Sequence, residues 1–203
     1  MILGYHVIIS AYGFWLPNDP RGSWSDMVRR WELLRFGPAT KVDTHRSVAR
    51  KPHDRALRLR AKEALTYPPV AFTGIQARAV GRGFANFVKR SGITIWACAI
   101  LPEHVHLVIA RHKYASEQMI NLLKGDATRQ LVEEGIHPLL PWRSEGGRVP
   151  CCWARKGWSV FLDSGADIAR SIRYVEKNPE KEGKPRQNWP FVTAYSGAPA
   201  APR

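Results

Sequence analysis

The stretch Ile100-Leu-Pro-Glu-His-Val-His-Leu-Val-Ile-Ala-Arg111 decides how the fold of this sequence is interpreted. Two histidines, His104 and His106, stand one residue apart in an alternating apolar run. Side chains of a β-strand alternate between its two faces, so a strand here projects both imidazoles from one face and Val105 and Leu107 from the other. Two imidazoles on one rigid strand can form half of a metal site. Taken alone, the pattern is equally consistent with one core histidine and one polar surface histidine.

Segments on both sides of this strand predict an α+β fold. Ile93–Leu101 is strongly apolar and, with a turn at Pro102, forms an antiparallel hairpin with the histidine strand. Thr73 and Gln76 form a capping-box pattern at the start of a helix that ends at Ser91-Gly92. The remaining predicted elements are a first strand at 5–12, a second helix at 116–135 and a last strand at 158–163. This order predicts a ferredoxin-like four-stranded antiparallel sheet with two helices on one face, which leaves both histidines on the open face.

A long insertion, residues 13–72, follows the first strand of this single predicted domain, residues 1–203. A structureless segment of that length is uncommon in a compact domain, so we expect helices inside it. One helix is predicted at 54–65, where Asp54 can cap the N-terminus. Its basic residues Arg55, Arg58 and Arg60 are equally consistent with a solvated face and with a surface that contacts phosphates.

The charge of the chain indicates a polyanionic partner. Its 203 residues include 31 Lys and Arg against 17 Asp and Glu, a formal net charge of +14 at pH 7. Folded chains this basic commonly bind nucleic acid. The three cysteines include no Cys-x-x-Cys pair, so neither a disulfide framework nor a zinc ribbon is indicated, and a reducing cytoplasm is expected. No segment has the pattern of a signal peptide or a membrane-spanning helix, so no membrane partner is expected.

A second informative stretch is the helix predicted at 164–178. Tyr174 and Asn178, four residues apart, lie together on one flank of this helix, and Pro179 is expected to end it. In isolation, a tyrosine and an amide in this position are more often structural than catalytic. The narrow apolar seam beside them consists of Ile168, Ile172 and Val175.

Taken in order, three motifs resemble the HUH-type single-tyrosine transposases, and most of all the REP-associated tyrosine transposases. They are the His-Val-His strand after its proline turn, Tyr174-Val-Glu-Lys-Asn178-Pro179, and Trp189-Pro-Phe-Val-Thr-Ala-Tyr-Ser196. The resemblance covers residues 1–12 and 73–196. It implies that His104, His106 and Asn178 bind a divalent metal, Mg²⁺ or Mn²⁺, and that Tyr174 is the nucleophile.

The same resemblance implies a reaction. The chain would be a metal-dependent single-stranded DNA endonuclease and strand transferase that acts on hairpin or repeat DNA through a 5′-phosphotyrosine link at Tyr174, without a nucleotide cofactor. A phenol with a reference pKa near 10 is only about one-thousandth ionised at pH 7, a deficit of roughly 4 kcal/mol, so a Lewis-acidic metal would assist the attack. A bacterial cytoplasmic, nucleoid-associated protein is expected. The sequence leaves open whether it acts as a monomer or a homodimer.

Two other activities remain open at this point. A DNA-binding protein derived from a transposase would keep the basic surface without useful cleavage, and a metal-dependent hydrolase would cut DNA without a covalent adduct. His6, in the first strand, is interpreted as a structural or surface residue. The candidates for DNA contact combine positive charge with aromatic rings, and they are Arg55, Arg58, Arg60, Arg155, Trp24 and Trp153.

Overall fold

The structure, a computed structural model, describes residues 1–14, 16, 31–37 and 54–197. Its centre is a sheet of four antiparallel strands in the order β2-β3-β1-β4. This arrangement confirms the predicted α+β class with a four-stranded antiparallel sheet. The last strand begins at Trp153 rather than at residue 158. The strands are β1 (Gly4–Ala11), β2 (Ile95–Ile100), β3 (His104–Ala110) and β4 (Trp153–Leu162).

Capping side chains set the starts of two helices as the sequence predicts. The Asp54 carboxylate accepts a hydrogen bond from Leu57 N, and Thr73 and Gln76 form a reciprocal capping box. No helix within the described ranges has the length and apolar character needed to cross a membrane. The helices are α1 (Trp31–Leu34), α2 (Arg55–Glu63), α3 (Gly74–Ser91), α4 (Ser116–Glu133) and α5 (Gly165–Lys181), with a 3₁₀ turn at Leu140–Trp142.

Helices α3 and α4 cover one face of the sheet. Val105 and Leu107 of β3 enter the main core there, as the alternation of the strand predicts. Phe84 of α3 and Leu123 of α4 are fully buried in the same core. The removal of these apolar side chains from water is the main stabilising contribution to this side of the fold.

Helix α5 covers the opposite face, which the sequence analysis left open. Val108 of β3 packs there with Ile168 and Val175 of α5 in a second apolar cluster. The expectation of an open face was wrong, because the seam of α5 needs a partner and the second face of the sheet supplies it. His106 is consequently buried, with 4% of its surface exposed.

Helix α5 also continues past the predicted end at Asn178. Pro179 lies inside the helix, which ends at Lys181. Proline has no backbone N–H, so one hydrogen bond is missing from this turn of the helix. The backbone carbonyl of Pro179 is nevertheless paired, because it accepts a hydrogen bond from Glu182 N at 3.0 Å. Lys181 therefore lies on the helix rather than in the tail.

The C-terminal tail closes the β2 edge of the sheet. Gln187 Oε1 accepts from Ile100 N at 2.8 Å, and Gln187 Nε2 donates to Ile100 O at 2.7 Å. Val192 forms a parallel bridge with Ile95 of the same strand. Edge strands otherwise present unpaired backbone groups, so these contacts protect β2 from pairing with another chain.

Candidate functional site

Three histidines from the two central strands meet on the face covered by α5. The rings of His104 and His106 lie edge to face, with centroids 4.8 Å apart. His6 of β1 joins them, because its Nε2 atom lies 3.1 Å from His106 Nδ1. The interpretation of His6 as an ordinary structural or surface residue missed this contact.

Tyr174 projects from α5 onto this histidine cluster. Its ring centroid lies 5.5 Å from that of His106 and 5.7 Å from that of His6. The residue keeps 44% of its surface exposed, so a ligand in solution can reach it while the His106 imidazole beside it stays buried. The Lys181 ammonium lies 4.6 Å from the centre of the same ring, within the range of a cation–π contact.

Asn178 lies one helical turn after Tyr174 and is buried, with 7% of its surface exposed. Its Nδ2 atom has no hydrogen-bond partner within the part of the chain that the structure describes. A buried amide without its hydrogen bonds costs about 1–3 kcal/mol, and native structures usually avoid that cost. The unpaired atom is a donor, so it needs an acceptor and cannot itself bind a metal; Asn178 could act as a ligand only through its Oδ1 atom.

His104 is held between an aromatic ring and a carboxylate. The Phe14 ring stacks on the imidazole with centroids 4.8 Å apart. On the other side, Glu182 Oε1 lies 4.0 Å from His104 Nε2. Only 12% of the His104 side chain is exposed, so its orientation is set by these neighbours rather than by water.

Burial favours the neutral form of two imidazoles of this cluster. Burial lowers the pKa of His6 to about 4. Burial also lowers the pKa of His106 well below its usual value, and the neighbouring basic groups His104, His6 and Lys181 lower it further. A neutral imidazole keeps a lone pair on one ring nitrogen, which is the form that ligates metals.

The donor chemistry of the site fits a divalent metal with open coordination positions. His106 Nδ1 is engaged by His6, so Nε2 is the nitrogen left for a ligand. Within the described residues, no three or more His, Cys, Asp and Glu side chains are grouped so as to hold a metal ion. A metal at His104 and His106 would therefore need an amide oxygen, such as that of Asn178, and oxygens from substrate and water.

Comparison with known proteins agrees with the motifs of the sequence. No family model matches the chain. Over 103 residues, it is 27% identical to a Haemophilus influenzae protein named "Putative REP-associated tyrosine transposase". The chain is a sequence relative of that transposase. The similarity covers 49% of this chain and 57% of the relative, so it extends over about half the length of each.

A solved structure of a REP-associated tyrosine transposase bound to a REP hairpin also aligns with the chain. The alignment covers 96% of this chain and 90% of the other, at 13% identity and a TM-score of 0.44.

The candidate DNA-contacting residues that the structure describes lie on α2 and β4. Arg55 and Arg60 of α2 are exposed, Arg58 is half-buried, and Arg155 is exposed on β4. Trp153 is buried, with 3% of its surface exposed and Nε1 donating to Thr128 Oγ1 at 3.1 Å. Its ring therefore has no surface to offer a base. Trp24 lies outside the described residues.

Two residues of the site were absent from the sequence-based prediction. His6 is on the face of β1 that α5 covers, because its register partner Val108 packs against α5. Alternation along β1 combined with the central β1–β3 pairing would have indicated this position. Lys181 could not be found in the same way, since Pro179 was taken as the end of the helix.

Proposed function

We propose that the chain is a metal-dependent single-stranded DNA endonuclease and strand transferase of the transposase kind, with hairpin or repeat DNA as its substrate. The observation that carries the proposal is the position of Tyr174, an exposed phenol whose ring lies 5.5 Å from that of the buried His106. The similarity to a REP-associated tyrosine transposase supports the choice of substrate. A DNA substrate also favours a bacterial cytoplasmic, nucleoid-associated location.

Tyr174 is the proposed nucleophile. Its Oη attacks the scissile phosphorus and loses its proton to solvent. The bond from phosphorus to the 3′ oxygen breaks, and that oxygen leaves as a 3′-hydroxyl after taking up a proton. The product is a 5′-phosphotyrosyl link, which keeps the phosphodiester energy for rejoining to another 3′-hydroxyl, so no nucleotide cofactor is needed.

The histidines and the amide would hold the metal, Mg²⁺ or Mn²⁺. A bound divalent cation supplies charge neutralisation for the non-bridging phosphate oxygens. His104, His106 and Asn178 are the proposed ligands, and two nitrogen donors make Mn²⁺ at least as suitable as Mg²⁺. His6 orients His106, because its contact with His106 Nδ1 fixes the imidazole ring and leaves Nε2 directed to the metal site.

We also propose the ferredoxin-like arrangement for the core of the molecule. The chain order of strand, helix, two strands, helix and strand from β1 through α3, β2, β3 and α4 to β4 supports it. The sheet order β2-β3-β1-β4 is the order expected for this arrangement. Helix α5 then follows as the added element that carries the tyrosine.

A covalent-adduct assay tests the proposed function. The purified protein and its Tyr174→Phe variant are mixed with 3′-labelled single-stranded hairpin oligonucleotides and Mn²⁺, and the products are separated on denaturing gels. We expect a labelled protein-sized band with the native protein, none with the variant, and none when the metal is chelated. Cleavage without an adduct would contradict the role of Tyr174 and favour hydrolysis by water.

A DNA-binding protein without catalysis is the second candidate. It is favoured by the burial of His106, which has only 4% of its surface exposed. In the same assay it predicts tight binding of the hairpin with no cleavage at any metal concentration.

A further inference from the structure

The exposed face of α5 carries a row of positive charges beside Tyr174. At 100° per residue, these side chains and the tyrosine fall within an arc of about 100° on the helix. The acidic residues of α5 lie outside that arc. We name the four cations the α5 stripe, and they are Arg170, Arg173, Lys177 and Lys181, all exposed.

Most of the α5 stripe is not neutralised within the protein. Arg170 is paired with Asp167, the acidic residue one turn before it. Arg173, Lys177 and Lys181 form no ion pair with any residue that the structure describes. Three uncompensated cations on one short surface repel each other, so an anionic ligand that spans them is favoured.

The α5 stripe is continuous with the proposed active site. Lys181 lies at its C-terminal end, with Nζ 4.6 Å from the centre of the Tyr174 ring. Lys177 and Lys181 are four residues apart, as are Arg173 and Lys177, which gives a rise of about 6 Å between neighbours along the helix. Such a spacing is comparable to the separation of successive phosphates in an extended single strand.

We propose that the α5 stripe binds the sugar-phosphate backbone of the single-stranded DNA that enters the site. Lys181 is its positioning residue, with its ammonium beside the phosphate that reacts with Tyr174. The inference rests on the proposed function for its substrate.

The salt dependence of binding tests the stripe. All variants are made in the Tyr174→Phe background so that no turnover occurs, and binding of a fluorescein-labelled hairpin oligonucleotide with a single-stranded tail is followed by anisotropy from low to high salt. The logarithm of the association constant falls linearly as the logarithm of the salt concentration rises. Each phosphate contact to a single strand contributes about 0.7 to the steepness of this line, so the double variant Arg173→Gln/Lys177→Gln should make the line less steep by about 1.4.

A matched control uses Arg78→Gln/Lys89→Gln, which removes the same charge from exposed positions of α3 on the opposite side of the sheet. We expect an unchanged slope for this control and an unchanged circular dichroism melt for both double variants. Equal slopes in the two double variants, or no binding of the single-stranded tail by the parent protein, would overturn the inference.

The role of Lys181 is tested with the Tyr174 nucleophile restored. Lys181→Met should lower the single-turnover rate of adduct formation on the order of 10²-fold, with much less change in Kd, and Lys181→Arg should restore most of the rate. An unchanged rate in Lys181→Met overturns the positioning role. An absence of adduct with the native protein refutes the proposed function instead, and the salt slopes then decide the inference by themselves.

Discussion

The close contact of α3 with α4 makes a quantitative prediction for two glycines. A Cβ atom at Gly83 would lie 2.6 Å from Ala127 Cα and 2.7 Å from Asp126 O. Both neighbours are backbone atoms, which cannot rotate away as a side chain could. Gly125, in the interior of α4, has nothing within 4 Å of the same position. The substitutions Gly83→Ala and Gly125→Ala therefore add the same methyl group to crowded and to open space.

The two variants should change stability in opposite directions. Replacing a glycine inside a helix by alanine gains about 1 kcal/mol of helix propensity, and at position 125 nothing opposes this gain. At position 83 the helices must separate by about 1 Å, which weakens much of the dispersion contact along the interface. Overpacking of this kind costs about 1–3 kcal/mol, and with a backbone neighbour we expect the upper end. The free energies of unfolding should thus differ by about 2–3 kcal/mol.

Equilibrium unfolding in urea, followed by far-ultraviolet circular dichroism, measures this difference. For a chain of this length, each 1 kcal/mol corresponds to about 2–4 °C in Tm, so thermal melts should separate the variants by about 4–12 °C. The reasoning is refuted if Gly83→Ala is as stable as Gly125→Ala. That result would mean that α3 and α4 do not approach as closely as the structure has them.

Two further predictions concern buried polar groups. Asn178→Leu removes an amide whose Nδ2 is buried without a partner in the described structure, so it should raise the free energy of unfolding by about 1–2 kcal/mol while abolishing the Mn²⁺-dependent adduct. Loss of stability of that size in a urea titration would contradict this account. Burial lowers the pKa of His137 to about 4. Between about pH 6.5 and pH 4 this histidine is therefore protonated in the unfolded chain but neutral in the folded one. The free energy of unfolding should fall by up to about 3 kcal/mol as the pH is lowered through that window. His137→Asn keeps an acceptor for Leu139 N, and its urea midpoint should depend less on pH than that of the native protein; equal pH dependence would rule this out.

Local signals predicted most of the architecture of the fold. The capping box at Thr73 and Gln76 marks the start of α3, and Gly92, with a φ of 71°, marks its end. Each signal rests on a backbone requirement that few residue types meet, so the sequence alone is sufficient. The alternation from His104 to Ala110 gave the faces of β3 for the same reason, because the side-chain period of a strand is fixed.

Features that depend on contacts across the sequence could not be predicted in this way. Lys124 is a charged residue of α4, yet it is buried, and its Nζ donates to Ala154 O at 2.8 Å. No local pattern indicates a carbonyl thirty residues away as its partner. Trp153 has an aromatic ring of the kind that stacks on bases, but β4 begins at this position and its ring lies in the core. His6 likewise became part of the site only through the pairing of β1 with β3.

The candidate site was the part that the sequence predicted best, because its residues follow the side-chain periods of one strand and one helix. His104 and His106 share a face through the two-residue period of β3, and Tyr174 and Asn178 share a flank through the period of α5. What the sequence could not give is the packing of α5 on the histidine face. That packing buries His106, lowers its pKa and leaves the Tyr174 phenol exposed above it.

Helix α5 therefore couples the proposed chemistry to the fold. It carries the proposed nucleophile, the proposed amide ligand and the adjacent cation at positions 174, 178 and 181, so one rigid element sets all three at once. Its seam residues Ile168 and Val175 are almost completely buried against β2 and β3, which prevents rotation about the helix axis. A rotation by a single residue, 100°, would move Tyr174 off the histidines and Asn178 into the apolar seam. The hydrophobic packing of α5 thus sets the orientation of the site residues, and the polar residues are not needed to hold the helix in place.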